Sequence, residues 1–169
     1  MKVLVLKRDK VGDLLLTTPM LRVLREALPD ARIEVLASDY NAWVLEGNRD
    51  VDRVRVYRRT RIGNRISVTG ALQQVALFAR LRFEGFDVAI AAGGESSPRA
   101  TRRARLMEAK RTVAYVPAGE ARAPDALAEP AHGHERDRVI ALLAPLGIAA
   151  PGTPPLPAYD PPAVWRVSR

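Results

Sequence analysis

The sequence predicts an α/β fold, a parallel sheet with flanking helices. Short apolar runs of strand length alternate with longer stretches whose leucines recur at three- and four-residue spacing. Strand is followed by helix along most of the chain, the order expected of a parallel sheet. At 169 residues, the chain has the size of one ordinary domain that buries a core without disulfide or metal staples.

The first run, Lys2 to Lys7, reads as a short buried strand. The polar loop Arg8-Asp9-Lys10 leads into Val11-Gly12-Asp13 and a helical pattern carrying Leu14, Leu21, Leu24 and Leu28. Pro29-Asp30 ends that helix, because proline disfavours helical backbone in the residue before it. Asp13 therefore falls at or near a helix N-terminus. Pro19 leaves two readings: a helix that starts at Asp13 and bends, or a shorter helix capped by Thr18 with Pro19 in its first turn.

The alternation continues with a strand Arg32 to Ala37, a helix about Tyr40 to Glu46, a strand Arg53 to Tyr57, a helix about Ala71 to Arg82 and a strand Asp87 to Ala91. A helix around Arg99 to Glu108, a strand Thr112 to Val116 and a helix from about His134 to Leu146 follow, with Gly147 as the stop. Arg58 to Val68 and Pro117 to Gly133 read as loops. Residues 1–148 thus form one expected domain. From Ala149 onward Pro151, Pro154, Pro155, Pro157, Pro161 and Pro162 deny both helix and central strand, so residues 149–169 read as a proline-rich linker or truncated tail. Only Ala163 to Arg169 follow the last proline, and the chain is expected to stop where a further domain would begin.

Composition narrows the chemistry. The absence of cysteine removes disulfides, thiolate nucleophiles and thiolate metal sites, and suits a reducing cytoplasm. The N-terminal apolar run is too short for a signal peptide and no run approaches a membrane span, which reads as a soluble protein. A formal net charge of +8 favours anionic partners: acidic lipid headgroups, phosphorylated or carboxylated sugars, or nucleic acid. Nucleic acid is not the expected partner, since aromatic content is low and no helix-turn-helix, zinc finger or RNP-like pattern appears. His132 and His134 lack the carboxylates and cysteines that would complete a metal set, so no metal is expected and His134 reads as a helix-start residue.

In an open parallel sheet ligands bind beyond the carboxyl ends of the strands, which directs attention to the loops after the first, third and fourth strands. The first loop has one glycine and matches neither the dinucleotide nor the P-loop fingerprint. It offers instead the carboxylate of Asp13 near Lys7, Arg8 and Lys10, a group that a helix dipole and cations would keep ionised, able to deprotonate a hydroxyl or simply to cap its helix. The third loop gathers arginines including Arg58 and Arg61, suited to carboxylate or phosphate oxygens or to a solvated face. After the fourth strand, Gly93-Gly94-Glu95-Ser96-Ser97-Pro98-Arg99 offers close backbone approach, a carboxylate for sugar hydroxyls, a serine cap and an arginine near the cleft.

The run Lys2 to Lys7, then Val11-Gly12-Asp13-Leu14-Leu15-Leu16-Thr17-Thr18-Pro19-Met20-Leu21, then Pro29-Asp30-Ala31-Arg32-Ile33, resembles the opening of glycosyltransferase family nine, which includes the ADP-heptose:lipopolysaccharide heptosyltransferases. The likeness continues in order through Leu45 to Val54, Phe86 to Ile90, Ala109-Lys110-Arg111, His134-Glu135-Arg136 and Leu142 to Ile148. The resemblance implies a Rossmann-like parallel sheet forming the N-terminal, acceptor-binding half of a GT-B enzyme of lipopolysaccharide biosynthesis. It implies inverting, metal-independent transfer with Asp13 as general base and Lys7, Arg58 and Arg61 holding the acidic acceptor, and the loops around the cleft add Arg8, Lys10, Gly12, Glu95, Ser96 and Arg99 as expected acceptor-binding residues. An ADP-heptose-like donor would be held by a C-terminal domain that this sequence lacks, leaving no cofactor to this half, which alone is not expected to transfer sugar. The expected partners are an acidic glycan or glycolipid and, peripherally, the inner membrane surface, in the cytoplasm. The alternative is a non-catalytic remnant of the same fold that binds acidic glycolipid.

Overall fold

Val3-Leu4-Val5-Leu6, Ile33-Glu34-Val35-Leu36-Ala37 and Val88-Ala89-Ile90-Ala91 are nearly unbroken apolar runs, the mark of parallel strands covered on both faces. A computed structural model of the chain describes residues 1–7, 10–58, 61–62, 65–66, 68–93, 95–117, 126–128 and 133–159. The strands are β1 (Lys2–Leu6), β2 (Arg32–Ser38), β3 (Arg53–Tyr57), β4 (Arg61–Ile62), β5 (Arg65–Ile66), β6 (Val88–Ala91), β7 (Arg111–Val116) and β8 (Ala126–Ala128). The helices are α1 (Val11–Leu15), α2 (Thr18–Ala27), α3 (Val68–Phe83), α4 (Pro98–Arg105) and α5 (Glu135–Ala141), with 3₁₀ turns at Ala42–Leu45 and Ala144–Leu146.

Six strands form one sheet in the order β3-β2-β1-β6-β7-β8, every pairing parallel. The strands β4 and β5 make a separate antiparallel pair. On one face Val3, Val5, Ile33, Val35 and Ile90 pack against Leu14 of α1, Met20, Leu21 and Leu24 of α2, and Val139 and Ile140 of α5. On the other, Leu4, Leu6, Leu36 and Ala89 meet Leu81 of α3 and Ala104 of α4. This is the parallel α/β sheet that the alternation predicts.

Several boundaries differ from the sequence reading. The expected helix over Tyr40 to Glu46 is only a 3₁₀ turn, because the Asn41 Oδ1 accepts from both the Ser38 amide and its hydroxyl at 2.8 Å and sets a tight turn. The expected helix from His134 to Leu146 ends at Ala141, since Pro145 cannot continue it, and a 3₁₀ turn follows with Gly147 at φ 77° as its stop. The two regions read as loops contain the β4–β5 pair and the sixth strand of the sheet, β8. At Pro19 the chain does not bend one continuous helix: α1 ends at Leu15, and a separate α2 starts with Pro19 in its first turn. Thr18 is not the cap. The Thr17 hydroxyl donates to the Asp13 carbonyl and the Thr18 hydroxyl to the Leu15 carbonyl, both at 2.8 Å, which satisfies the end of α1. Residues 149–159 hold no helix or strand, yet they dock: the Ala158 amide donates to Thr18 Oγ1 at 2.9 Å, and Tyr159 meets Trp43 edge-on at 5.5 Å.

Charged groups fix the β2–β3 edge. Glu34, 1 % exposed, accepts from Arg55 at 2.6 Å, and Arg55 also donates to Glu84 at the end of α3. Burial opposes the Arg55 charge, but the two carboxylates outweigh it and raise its pKa. Asp52 accepts from the Ile33 amide and from Arg25 of α2, each at 2.6 Å.

Burial works to raise the Asp52 pKa, but the Ile33 amide and Arg25 together hold the carboxyl below its ordinary value. The unfolded chain therefore takes up a proton first as pH falls. The stabilisation is full above the unfolded carboxylate pKa of about 3.9 and is lost as pH drops through the lower folded value. Asp52→Asn is expected to cost about 1 kcal/mol at neutral pH, a modest figure because 45 % of the side chain is exposed. Urea melts check this: the gap to wild type should close at strongly acid pH, and an equal gap at both would show that the charge is not responsible.

Candidate functional site

The chain turns back between β1 and β6. After β1 it adds β2 and β3 on one side, and after α3 it returns to lay β6 on the other side of β1. Loops leave the carboxyl ends of these two neighbours in opposite directions, and the gap between them is where open α/β sheets bind ligands. A cleft of about 530 Å³ lies there, lined by Leu6 and Lys7 after β1, Asp13 and Leu16, Ala92 and Gly93 after β6, Glu95 to Ser97, Ala100 and Arg103 of α4, and Glu135 of α5.

Four of the sequence-predicted residues meet in it: Asp13, Lys7, Glu95 and Ser96. Lys10 caps the start of α1 by position alone, so Asp13 sits inside the first turn and is not the cap. Among the described residues, no hydrogen bond or ion pair engages the Asp13 carboxylate, although the first-turn amides and dipole favour a negative charge. Lys7 is 2 % exposed, and its ammonium approaches Glu135 at 3.4 Å. Glu95 is exposed, with Arg138 at 3.9 Å. Two of the three cleft carboxylates thus have a cation beside them inside the fold. Asp13 is the third.

The other predicted residues fall elsewhere. Lys10 and Gly12 are exposed and do not line the cleft, and Arg58 is exposed at the end of β3, the sheet edge two strands away from β1. Arg8 and the Arg61 side chain lie outside the described residues. Arg99 was expected nearest the cleft; it faces solvent instead, because α4 begins at Pro98 and its phase brings Ala100 and Arg103 inward. Of the two serines, Ser97 is the cap, its Oγ accepting from the Ala100 amide at 3.3 Å.

Sequence reasoning missed Arg103 and Glu135 as site residues. The phase of a helix capped at Ser97 would have found Arg103, while the position of α5 depends on the sheet order. His134 caps α5, with Nδ1 accepting from the Arg136 amide at 3.2 Å, and this helix start delivers Glu135. Tyr115 of β7 steadies α5 by donating its hydroxyl to the Arg138 carbonyl at 2.6 Å, and burial raises the phenol pKa despite the nearby Arg138.

A side chain at Gly12 would enter open space, with no atom within 4 Å of an added Cβ. Gly12→Ala should therefore stabilise the protein by roughly 0.5–1 kcal/mol through the unfolded chain's lost freedom. A thermal melt tests this, and a lower midpoint would show that the glycine is required where it stands.

No protein-family model and no curated protein matches the chain. Solved structures do. A glycosyl transferase of family 9 from Veillonella parvula superposes with a TM-score of 0.65 at 24 % identity, over 88 % of this chain and 42 % of that one. The E. coli heptosyltransferase WaaC, solved with ADP-2-deoxy-2-fluoro heptose, gives 0.67 at 22 %, over 90 % and 50 %. The E. coli ADP-heptose lps heptosyltransferase II gives 0.68 at 19 %, over 97 % and 48 %. The chain spans about half the length of these enzymes, and over that span it has their fold: the Rossmann-like parallel sheet of one half of a GT-B glycosyltransferase.

Proposed function

We propose that this chain is the acceptor-binding half of an inverting, metal-independent glycosyltransferase of the heptosyltransferase type. The observation that carries the reading is the Asp13 carboxylate, without an internal partner among the described residues, lining a cleft at the switch point of the sheet. A base must be ionised and within reach of the hydroxyl it serves. In this reading Asp13 takes the proton of an acceptor hydroxyl as its oxygen forms the new bond to the anomeric carbon. The bond from that carbon to the nucleoside diphosphate breaks, and the diphosphate leaves with the electron pair. The donor, an ADP-heptose-like nucleotide sugar, would be bound by a second, C-terminal half.

The cleft's remaining residues fit an anionic sugar. Arg103 supplies a guanidinium for a phosphate or carboxylate of the acceptor, while Glu95 and the Ser96 hydroxyl suit its sugar hydroxyls. Lys7 contributes buried positive charge at the floor and is held in place by Glu135. An acidic inner-core glycolipid of lipopolysaccharide is the acceptor this chemistry suits. Its lipid would place the protein in the cytoplasm, peripheral to the inner membrane. No described helix is long and apolar enough to cross a membrane.

With a donor-binding half of a related heptosyltransferase supplied, Asp13→Asn should fold and bind acceptor normally but lower kcat by about 10²–10⁴. Steady-state kinetics with labelled donor measure this. Transfer unchanged by the substitution would remove Asp13 as the base. Tight acceptor binding with no transfer by the wild-type chain would favour the glycan-binding remnant.

A further inference from the structure

The helix α3 carries apolar side chains on two opposite sides. Its inner side, with Leu77, Phe78 and Leu81, packs on the sheet. Its outer side carries Val68, Leu72, Val75 and Phe83, which are 70 %, 65 %, 67 % and 87 % exposed. With the exposed Ala79 between them, these residues recur every three or four positions, so they form one stripe opposite the packed face, about 24 Å long over 16 residues. A surface helix ordinarily turns polar residues outward, and a continuous apolar stripe in that position marks a contact surface.

The exposed charge carried by the neighbouring helix is basic. Within α3 the charged residues are Arg80 and Arg82, and no aspartate or glutamate lies in the helix. Beside α3 in the same helical layer, α4 is also free of acidic residues and turns Arg99, Arg102 and Arg105 to solvent. Arg82 pairs with Glu108 at 2.6 Å, tying the end of α3 to the turn after α4, so the two helices present one outer surface. Arg80 pairs with Glu84 at 3.4 Å. Exposed pairs of this kind are weak in water, and phosphate oxygens match a guanidinium as well as a carboxylate does.

We propose that the outer face of α3, with the exposed arginines of α4 beside it, docks the protein on an anionic lipid bilayer. The helix lies in the plane of the interface, with Leu72, Val75 and Phe83 at the acyl boundary and the arginines among the headgroup phosphates. A second copy of the chain fits less well, because the acids at the ends of these helices, Glu84 and Glu108, already pair with Arg80 and Arg82, and α4 has no acid of its own to meet the exposed arginines of a facing α4. The face points away from the sheet, clear of the cleft at its carboxyl edge, so docking leaves the cleft open. This inference rests on the membrane location proposed above only for the identity of the surface.

The chain has no cysteine, so Val75→Cys accepts a single environment-sensitive fluorophore. With the full chain, the emission should shift to the blue on mixed phosphatidylethanolamine–phosphatidylglycerol vesicles and stay unchanged on pure phosphatidylcholine. Leu72→Ser with Phe83→Ser should weaken flotation with the anionic vesicles by at least about tenfold while leaving the thermal midpoint unchanged. A fluorophore that neither vesicle moves would overturn the proposal, as would vesicle binding that ignores the serine substitutions. A blue shift without lipid, accompanied by a dimer in light scattering, would assign the stripe to a second copy. The assay contains no donor and no acceptor, so its failure leaves the transfer reading standing.

Discussion

A parallel sheet that grows outward from β1 in one direction, and then returns to grow in the other, must leave a crevice where the two directions part. Here the parting is between β1 and β6. The groups on the two sides of the cleft take their position from that constraint: Lys7 follows β1, Gly93 follows β6, Asp13 rides on the helix leaving β1, and Arg103 on the helix leaving β6. The two halves of the site come from segments some eighty residues apart, brought together by the register of Leu6 with Ala91. No local motif creates the cleft. It follows from strand order.

The electrostatics of the molecule follow the same division. Away from the cleft, four carboxylates at strand and helix ends are paired with arginines: Glu34 and Glu84 with Arg55, Asp50 with Arg22 and Asp52 with Arg25. These contacts fasten helices to strand ends and leave little charge for a ligand. Inside the cleft Lys7 and Glu135 are near one another, as are Arg138 and Glu95, while the Asp13 carboxylate has no partner among the described residues. A carboxylate that lines the cleft with no partner among the described residues is a group whose hydrogen bond a ligand can supply.

Most strands were legible because their residues carry a local signal. Arg53 to Tyr57 is a strand in both readings, and the Gly-Asp-Leu-Leu-Leu-Thr-Thr-Pro run marked the helix that bears Asp13. What stayed hidden depends on partners distant in sequence. The strand β8 is a three-residue Ala-Leu-Ala in a segment rich in alanine and proline, and only its pairing with β7 makes it a strand. Nothing in the strand Arg53 to Tyr57 marks Arg55 as an internal ion-pair partner, yet it is buried between Glu34 on the neighbouring strand and Glu84 just after α3. Arg103 was one helical turn from the arginine singled out. Glu135 entered the cleft through a helix whose place beside β1 no spacing encodes.

The central claim is that an acceptor hydroxyl meets Asp13 while the anionic part of the same sugar meets Arg103. A crystal structure of the chain with a phosphorylated inner-core oligosaccharide addresses it most directly. Such a structure should hold the sugar in the cleft, with one hydroxyl oxygen within about 2.6–3.2 Å of an Asp13 carboxylate oxygen, and phosphate against the Arg103 guanidinium. A sugar bound with its hydroxyls turned away from Asp13, or bound over another edge of the sheet, would contradict it.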